Sequence, residues 1–228
     1  NGRRLALNPL RLAGGSWSMD LDQLEGLFKA GAKALILCNP HNPVGRVWTR
    51  AELGALAALC ARYGVMVLSD DIHSDLALGD ATYVPFGSLP EADPDAYASF
   101  YAPGKTFNLA GLKGSAAVIP GAARRKDFLA FQERFHGCKP SALAFTAFVA
   151  AYRHGDAYAD EVKDYILGNA IFAESFIGER MPALAAARPE GTFLMLADCT
   201  RLGLESWDLV NFFKDRAGVL CSRGAAYG

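Results

Sequence analysis

Apolar and polar positions along this chain fall into blocks, and each block carries its own period. Behind Asp20, apolar residues stand at Leu21, Leu24, Leu27 and Phe28, with Gly31 following, which predicts a capped amphipathic helix. Residues 34–38, Ala-Leu-Ile-Leu-Cys, have no polar face and run into Asn39-Pro-His-Asn-Pro-Val-Gly45, predicting a strand buried on both sides that ends in a loop. Thr49 and Glu52 have the spacing of a capping box, opening a second helix with Leu53, Leu56, Leu59 and Cys60 on one face and Gly64 at its end. Residues 65–69 predict a second buried strand, with Asp70-Asp-Ile-His73 at its carboxyl end. Residues 97–101 and 115–119 are further strand candidates, and Ala102-Pro-Gly-Lys105 follows the first of them.

Strands alternating with helices imply an α/β fold: a three-layer αβα large domain whose mostly parallel sheet is covered on both faces. Residues 141–181 turn helical over a long span ending before Pro182. Residues 192–196 and 219–221 then predict strands around a helix at 207–216, a composition that suits part of a smaller α+β domain. The expected boundary lies inside the long helical region, at 155–180, placing residues 1–160 in the large domain and 161–228 in the small one.

The composition narrows the partners. With 228 residues, 51% of them hydrophobic and 21% charged, the chain can bury a sizeable core. A formal net charge of −1, its signs interspersed, leaves no electrostatic footprint for nucleic acid or an anionic membrane surface, so a small-molecule partner is expected. The apolar runs are far shorter than the roughly 20 residues of a membrane-spanning helix. Five widely spaced cysteines, with no CxxC pair, suit reduced thiols in a cytoplasmic protein, with Cys38 and Cys60 as small buried hydrophobes. The chain opens on Asn-Gly-Arg-Arg and stops at Ala-Ala-Tyr-Gly, and both ends are expected to be cuts.

Ligands of open α/β sheets bind outside the carboxyl ends of the strands, where three polar groups fall: residues 39–45, residues 70–73 and the loop with Lys105. Taken singly each has a plain structural explanation: turn material for Asn42, a cap for Asp70, a hydrogen-bonded interior histidine for His73, a solvated loop lysine for Lys105. Taken in order, Cys38-Asn-Pro-His-Asn-Pro-Val-Gly45, Ser69-Asp-Asp-Ile-His-Ser-Asp75, Ala102-Pro-Gly-Lys-Thr-Phe-Asn-Leu-Ala-Gly-Leu112 and Pro189-Glu-Gly-Thr-Phe193 form a set. The set resembles the fold-type I pyridoxal 5'-phosphate (PLP) enzymes of the class I/II aminotransferase superfamily, in particular the bacterial cystathionine β-lyase (C-S lyase) branch.

That resemblance implies the PLP-dependent transferase fold and a role for each residue. Lys105 would hold the cofactor through its aldehyde and move the substrate's Cα proton. Asp70 would keep the pyridine nitrogen protonated. Asn42 would donate to the ring's phenolic oxygen, with a cis Asn42-Pro43 peptide. His73 stands where many aminotransferases carry a tyrosine, and Lys113 where many relatives carry a phosphate-binding arginine, whose bidentate geometry a lysine does not reproduce. Ala102 and Gly104 stand where serines are common. Relatives also have an N-terminal segment and a C-terminal carboxylate-binding arginine that match nothing in this sequence, so the chain is expected to hold half a site. The implied activity is PLP-dependent β-elimination from cystathionine-like amino acids in a homodimer. The alternatives are a class I/II aminotransferase with the same residues and, from another class, a non-catalytic regulatory module.

Overall fold

The computed structural model describes residues 2–135 and 139–227, so Cys138 lies outside the described residues. The chain begins with a short antiparallel hairpin, β1 (Arg11–Ala13) and β2 (Ser16–Ser18), turned by Gly14 and Gly15 at φ 59° and 80°. Two consecutive positive φ values suit glycine and match the twist of the hairpin. The hydrophobic pattern gave no sign of this element.

The next elements follow the pattern closely. Asp20 caps α1 (Leu21–Lys29) by accepting from the Gln23 amide at 3.0 Å, and Leu24 and Phe28 face the core. The expected capping box opens α2 (Arg50–Tyr63), which buries Leu53, Leu56, Ala57 and Cys60 and ends at Gly64 with φ 61°. Between and after them lie β3 (Ala34–Cys38), β4 (Met66–Asp70) and β5 (Tyr97–Tyr101), and then β6 (Ala116–Val118). The sheet order is β3-β4-β5-β6. The first three strands are parallel and β6 returns antiparallel, so the expected α/β sheet is mostly parallel.

One face of this sheet carries Leu35, Leu37, Val65, Val67 and Tyr97 against α1 and α2, with Trp48 fully buried among them. On the other face Ala98 is buried, but on the edge strand β3 Ile36 is 71% exposed. The expectation that residues 34–38 are buried on both sides therefore fails at the edge, where no neighbouring strand or helix among the described residues covers Ile36.

The long helical span is two helices beyond α3 (Ala122–Phe135): α4 (Ala142–His154) and α5 (Asp156–Arg180), broken at Gly155. A Cβ there would stand 2.4 Å from both the Ala151 carbonyl oxygen and the Phe107 ring, so close packing against the Lys105 loop requires glycine. Beyond α5, β7 (Ala185–Ala186) and β8 (Ala197–Asp198) pair antiparallel. The strand expected at 192–196 is not formed there, because Thr192 takes a left-handed φ of 69° and the pairing starts at Ala197. Helix α6 (Ser206–Phe212) continues into a π-type turn, Phe213–Ala217. Residues 219–221 form no strand: Val219 and Leu220 are 50% and 76% exposed, and an extended segment without a pairing partner has nothing to hold it.

Past the apolar core on the α1/α2 side, the sheet carries a polar cluster. Asp71 is fully buried and Ser69 Oγ donates to its Oδ1 at 2.8 Å, while Oδ2 has no hydrogen-bond partner. Burial pushes the Asp71 carboxyl up to about 6, and the Ser69, Tyr83 and Ser99 hydroxyls pull it back only in part. Because the folded value lies above the ordinary one, Asp71 favours the folded state fully below pH 4, and this is lost as pH rises through about 6. Asp71→Asn should therefore stabilise the protein by up to about 3 kcal/mol above pH 7 and leave it unchanged below pH 4. Denaturant melts across that range check this; a gain at low pH, or none at pH 8, would contradict it.

Candidate functional site

The loop after β3 is fixed at both ends before it reaches the site. Asn39, 1% exposed, donates from Nδ2 to the Val84 carbonyl at 3.2 Å and accepts the Trp48 amide on Oδ1 at 3.2 Å. Trp48 Nε1 in turn donates to the Cys38 carbonyl at 3.0 Å, so a wholly buried indole closes the loop on the strand it leaves. The peptides before Pro40 and Pro43 are both cis, the second as the resemblance implies. Within the closed loop Asn42 Oδ1 is buried and has no hydrogen-bond partner.

Arg46 and Glu190 bind this loop to the Pro189–Phe193 segment, a connection the sequence left unassigned. Arg46 meets both Glu52 oxygens at 3.1 Å and Glu190 Oε2 at 2.9 Å, stacks 4.9 Å above Trp48, and reaches the Trp17 carbonyl of the hairpin. Glu190 Oε2 also accepts the Val47 amide at 2.9 Å, and the amides of Glu190 and Gly191 both donate to the Gly45 carbonyl. The approach is tight enough that a Cβ on Gly45, at φ 73°, would stand 2.4 Å from the Pro189 Cβ. On its other edge the segment exchanges backbone bonds with Leu76 and Leu78, beside the residues that follow β4. An arginine four residues beyond Asn42 and a glutamate in a Pro-Glu-Gly turn were the available signals, but their separation of 144 residues hid the pair.

The segment thereby delivers Phe193 between two of the expected residues. The His73 ring meets Phe193 edge-on with centroids 5.4 Å apart, and the Lys105 ammonium lies 5.9 Å from the same ring centroid. His73 is 1% exposed and neither ring nitrogen has a hydrogen-bond partner. Its pKa is lowered by burial first and by the Lys105 charge second, with Asp70 opposing, so the imidazole is neutral near pH 7. Asp70 ends β4 paired across the ladder with Cys38, and its Oδ1 accepts the Ile72 amide at 3.3 Å. Strand alternation sends Asp70 and Asp71 to opposite faces, the first beside His73 and the second into the polar cluster.

Asp70 thus ends β4, and Asn42, His73 and Lys105 lie on the loops leaving the carboxyl ends of three adjacent parallel strands. Lys105 opens on a cleft of about 390 Å³ whose walls include Thr106, Asn108, Tyr158, Ile166 and Phe193. Lys113 is exposed, in a left-handed conformation with φ 55°, and among the described residues no hydrogen bond or ion pair joins its ammonium to the other four.

Comparison with known proteins places the chain in a family. The family model for aminotransferase class I and II matches residues 4–228. The chain is 38% identical to cystathionine beta-lyase PatB of Bacillus subtilis (strain 168), over all of this chain and 59% of that protein. It is 32% identical to protein MalY of Escherichia coli (strain K12), over 93% of this chain and 54% of that one. Among solved structures, cystalysin from Treponema denticola, which contains a pyridoxal 5'-phosphate cofactor, superposes with a TM-score of 0.92 at 30% identity, covering 96% of this chain and 56% of that one. The chain therefore spans somewhat over half the length of the relatives it matches. On the extent of that family match, the chain belongs to the class I and II aminotransferase family.

Proposed function

We infer that the protein is a PLP-dependent carbon-sulfur β-lyase acting on cystathionine-like amino acids. The observation that carries the reading is the convergence of the Lys105 amine and a buried, unpartnered His73 on Phe193, beside Asp70 at a parallel strand end. The names of the relatives, cystathionine beta-lyase and a C-S lyase among them, support the substrate class.

The residues present fit the cofactor. Both His73 nitrogens are buried polar atoms without partners, and an unsatisfied buried polar atom costs roughly 1–3 kcal/mol unless a ligand supplies its partner. Lys105 would hold the cofactor through its aldehyde and Asp70 would keep the pyridine nitrogen protonated. Asn42 and His73 would hold the phenolic oxygen, and Lys113 would contact the phosphate. PLP, when bound, supplies an electron sink for charge developing at the substrate's Cα.

The chain's own groups then move the proton. The Lys105 amine takes the Cα proton, the bond from Cβ to sulfur breaks, and the sulfur leaves as a thiolate that is protonated on release. The released aminoacrylate is hydrolysed to pyruvate and ammonia. Phe193 packs edge-on against the imidazole of His73 and lies 5.9 Å from the lysine ammonium, which stays open to the cleft. The finer setting belongs to the same reading: a cytoplasmic homodimer, with residues 1–160 in a large cofactor-binding domain and 161–228 in part of a smaller one. Exposed apolar side chains such as Ile36, Leu143 and Phe145 leave surface for further chain or a second subunit, and among the described residues no helix is long and apolar enough to cross a membrane.

The test is the partition between elimination and transamination in the PLP-loaded full-length protein. Cystathionine should give pyruvate, ammonia and thiol in equal amounts with no 2-oxo acid present; turnover strictly dependent on an added 2-oxo acid, without thiol, would establish an aminotransferase instead. In the same assay Asp70→Asn should lower kcat on the order of 100-fold, whereas Asp71→Asn should leave it within about threefold of wild type. Equal losses at the two positions would contradict the role given to Asp70 at the pyridine nitrogen.

A further inference from the structure

His73 and Lys105 sit on separate loops, and one carboxylate joins those loops. Asp75 lies in the single helical turn Ser74–Leu76 directly after His73. Its Oδ2 accepts two hydroxyls: Thr106 Oγ1 at 3.2 Å, from the residue following Lys105, and the Tyr152 hydroxyl at 3.1 Å, from α4. Thr106 is 1% exposed, so its hydroxyl needs an internal acceptor, and Asp75 is the one the structure gives it.

The next residue fixes the same loop from the other side. Phe107 packs edge-on against Tyr152 with centroids 5.6 Å apart and stacks on Tyr158 at 6.1 Å, while Gly155 admits it where any side chain would collide. The loop also closes on itself through the Phe107 amide to the Pro103 carbonyl at 2.9 Å. The two residues after Lys105 are therefore held, and among the described residues the charged group that holds them, Asp75, comes from the segment that also presents Asp70 and His73.

We propose that Asp75 is a positioning residue, which sets where the Lys105 amine stands relative to Asp70 and His73 by holding Thr106 and Tyr152 on one oxygen. The inference rests on the reading of Lys105 as the cofactor-binding lysine. Its physical content is placement: a reacting group displaced by a fraction of an ångström loses rate without losing substrate affinity.

Thr106→Val keeps the shape of the side chain and removes only the hydroxyl. In the PLP-loaded full-length protein this variant should lower kcat about tenfold with KM within about twofold of wild type. When PLP is added to the apoprotein, the visible absorbance marking attachment to Lys105 should also grow in about tenfold more slowly. Thr106→Ser should restore both, and Tyr152→Phe, which leaves Thr106 on Asp75, should show a smaller loss in the same direction. Asp75→Asn, which keeps one acceptor oxygen, should fall between wild type and Thr106→Val and provides the same comparison should the valine variant fold poorly. Attachment to Lys105 at the wild-type rate, with unchanged kcat, in both Thr106→Val and Asp75→Asn would overturn the inference while leaving the reading of Lys105 intact. Attachment of PLP to a different lysine in the wild-type protein would overturn that reading and the inference together.

Discussion

Parallel pairing of β3, β4 and β5 is the constraint on which the rest depends. Its register sets Cys38 opposite Asp70 and Asp70 opposite Phe100, so the three strands reach their carboxyl ends at the same level. Every loop that leaves there starts within one strand spacing of the next, about 4.8 Å. The loops then have to be closed without disturbing the ladder. Trp48 and Asn39 close the first on the end of its own strand, and Asp75 ties the second to the third.

Local chemistry explains which parts were legible in the sequence. Asp20, Thr49 with Glu52, and Gly64 act within one helical turn, and their helices fall where the pattern puts them. The pattern puts residues 39–45, residues 70–73 and the loop with Lys105 at strand ends, while the roles given to Asn42, Asp70, His73 and Lys105 come from the resemblance. What was not legible depends on partners distant in sequence. Nothing in residues 115–119 tells that β6 runs antiparallel to β5, since direction is set by the path of the connecting chain. Residues 192–196 are as apolar as a strand, but the Glu190 and Gly191 amides before them are committed to Gly45, the Thr192 amide to Leu76, and Phe193 is spent on the site. The bond between Arg46 and Glu190 joins residues 144 positions apart, and no local pattern pairs them.

The buried polar groups divide into two kinds. Asn39, Thr106 and Ser69 are satisfied within the chain and serve to hold it together. Asn42 Oδ1 and the His73 nitrogens are not, and they lie where the strand-end loops meet. Among the described residues the other buried side-chain polar atoms, Asp71 Oδ2 apart, are satisfied, so leaving these open bears the cost of a ligand site in advance. Asp71 is the exception, an open carboxylate on the far face, and its cost falls on stability rather than on the cleft.

The central claim is that the loop leaving β5 presents the cofactor-binding lysine to this cluster. Borohydride reduction of the PLP-loaded full-length protein, followed by proteolysis and mass spectrometry, tests it most directly. The account predicts a single pyridoxyl adduct on the peptide containing Lys105; an adduct on Lys113 or Lys139, with Lys105 unmodified, would contradict it.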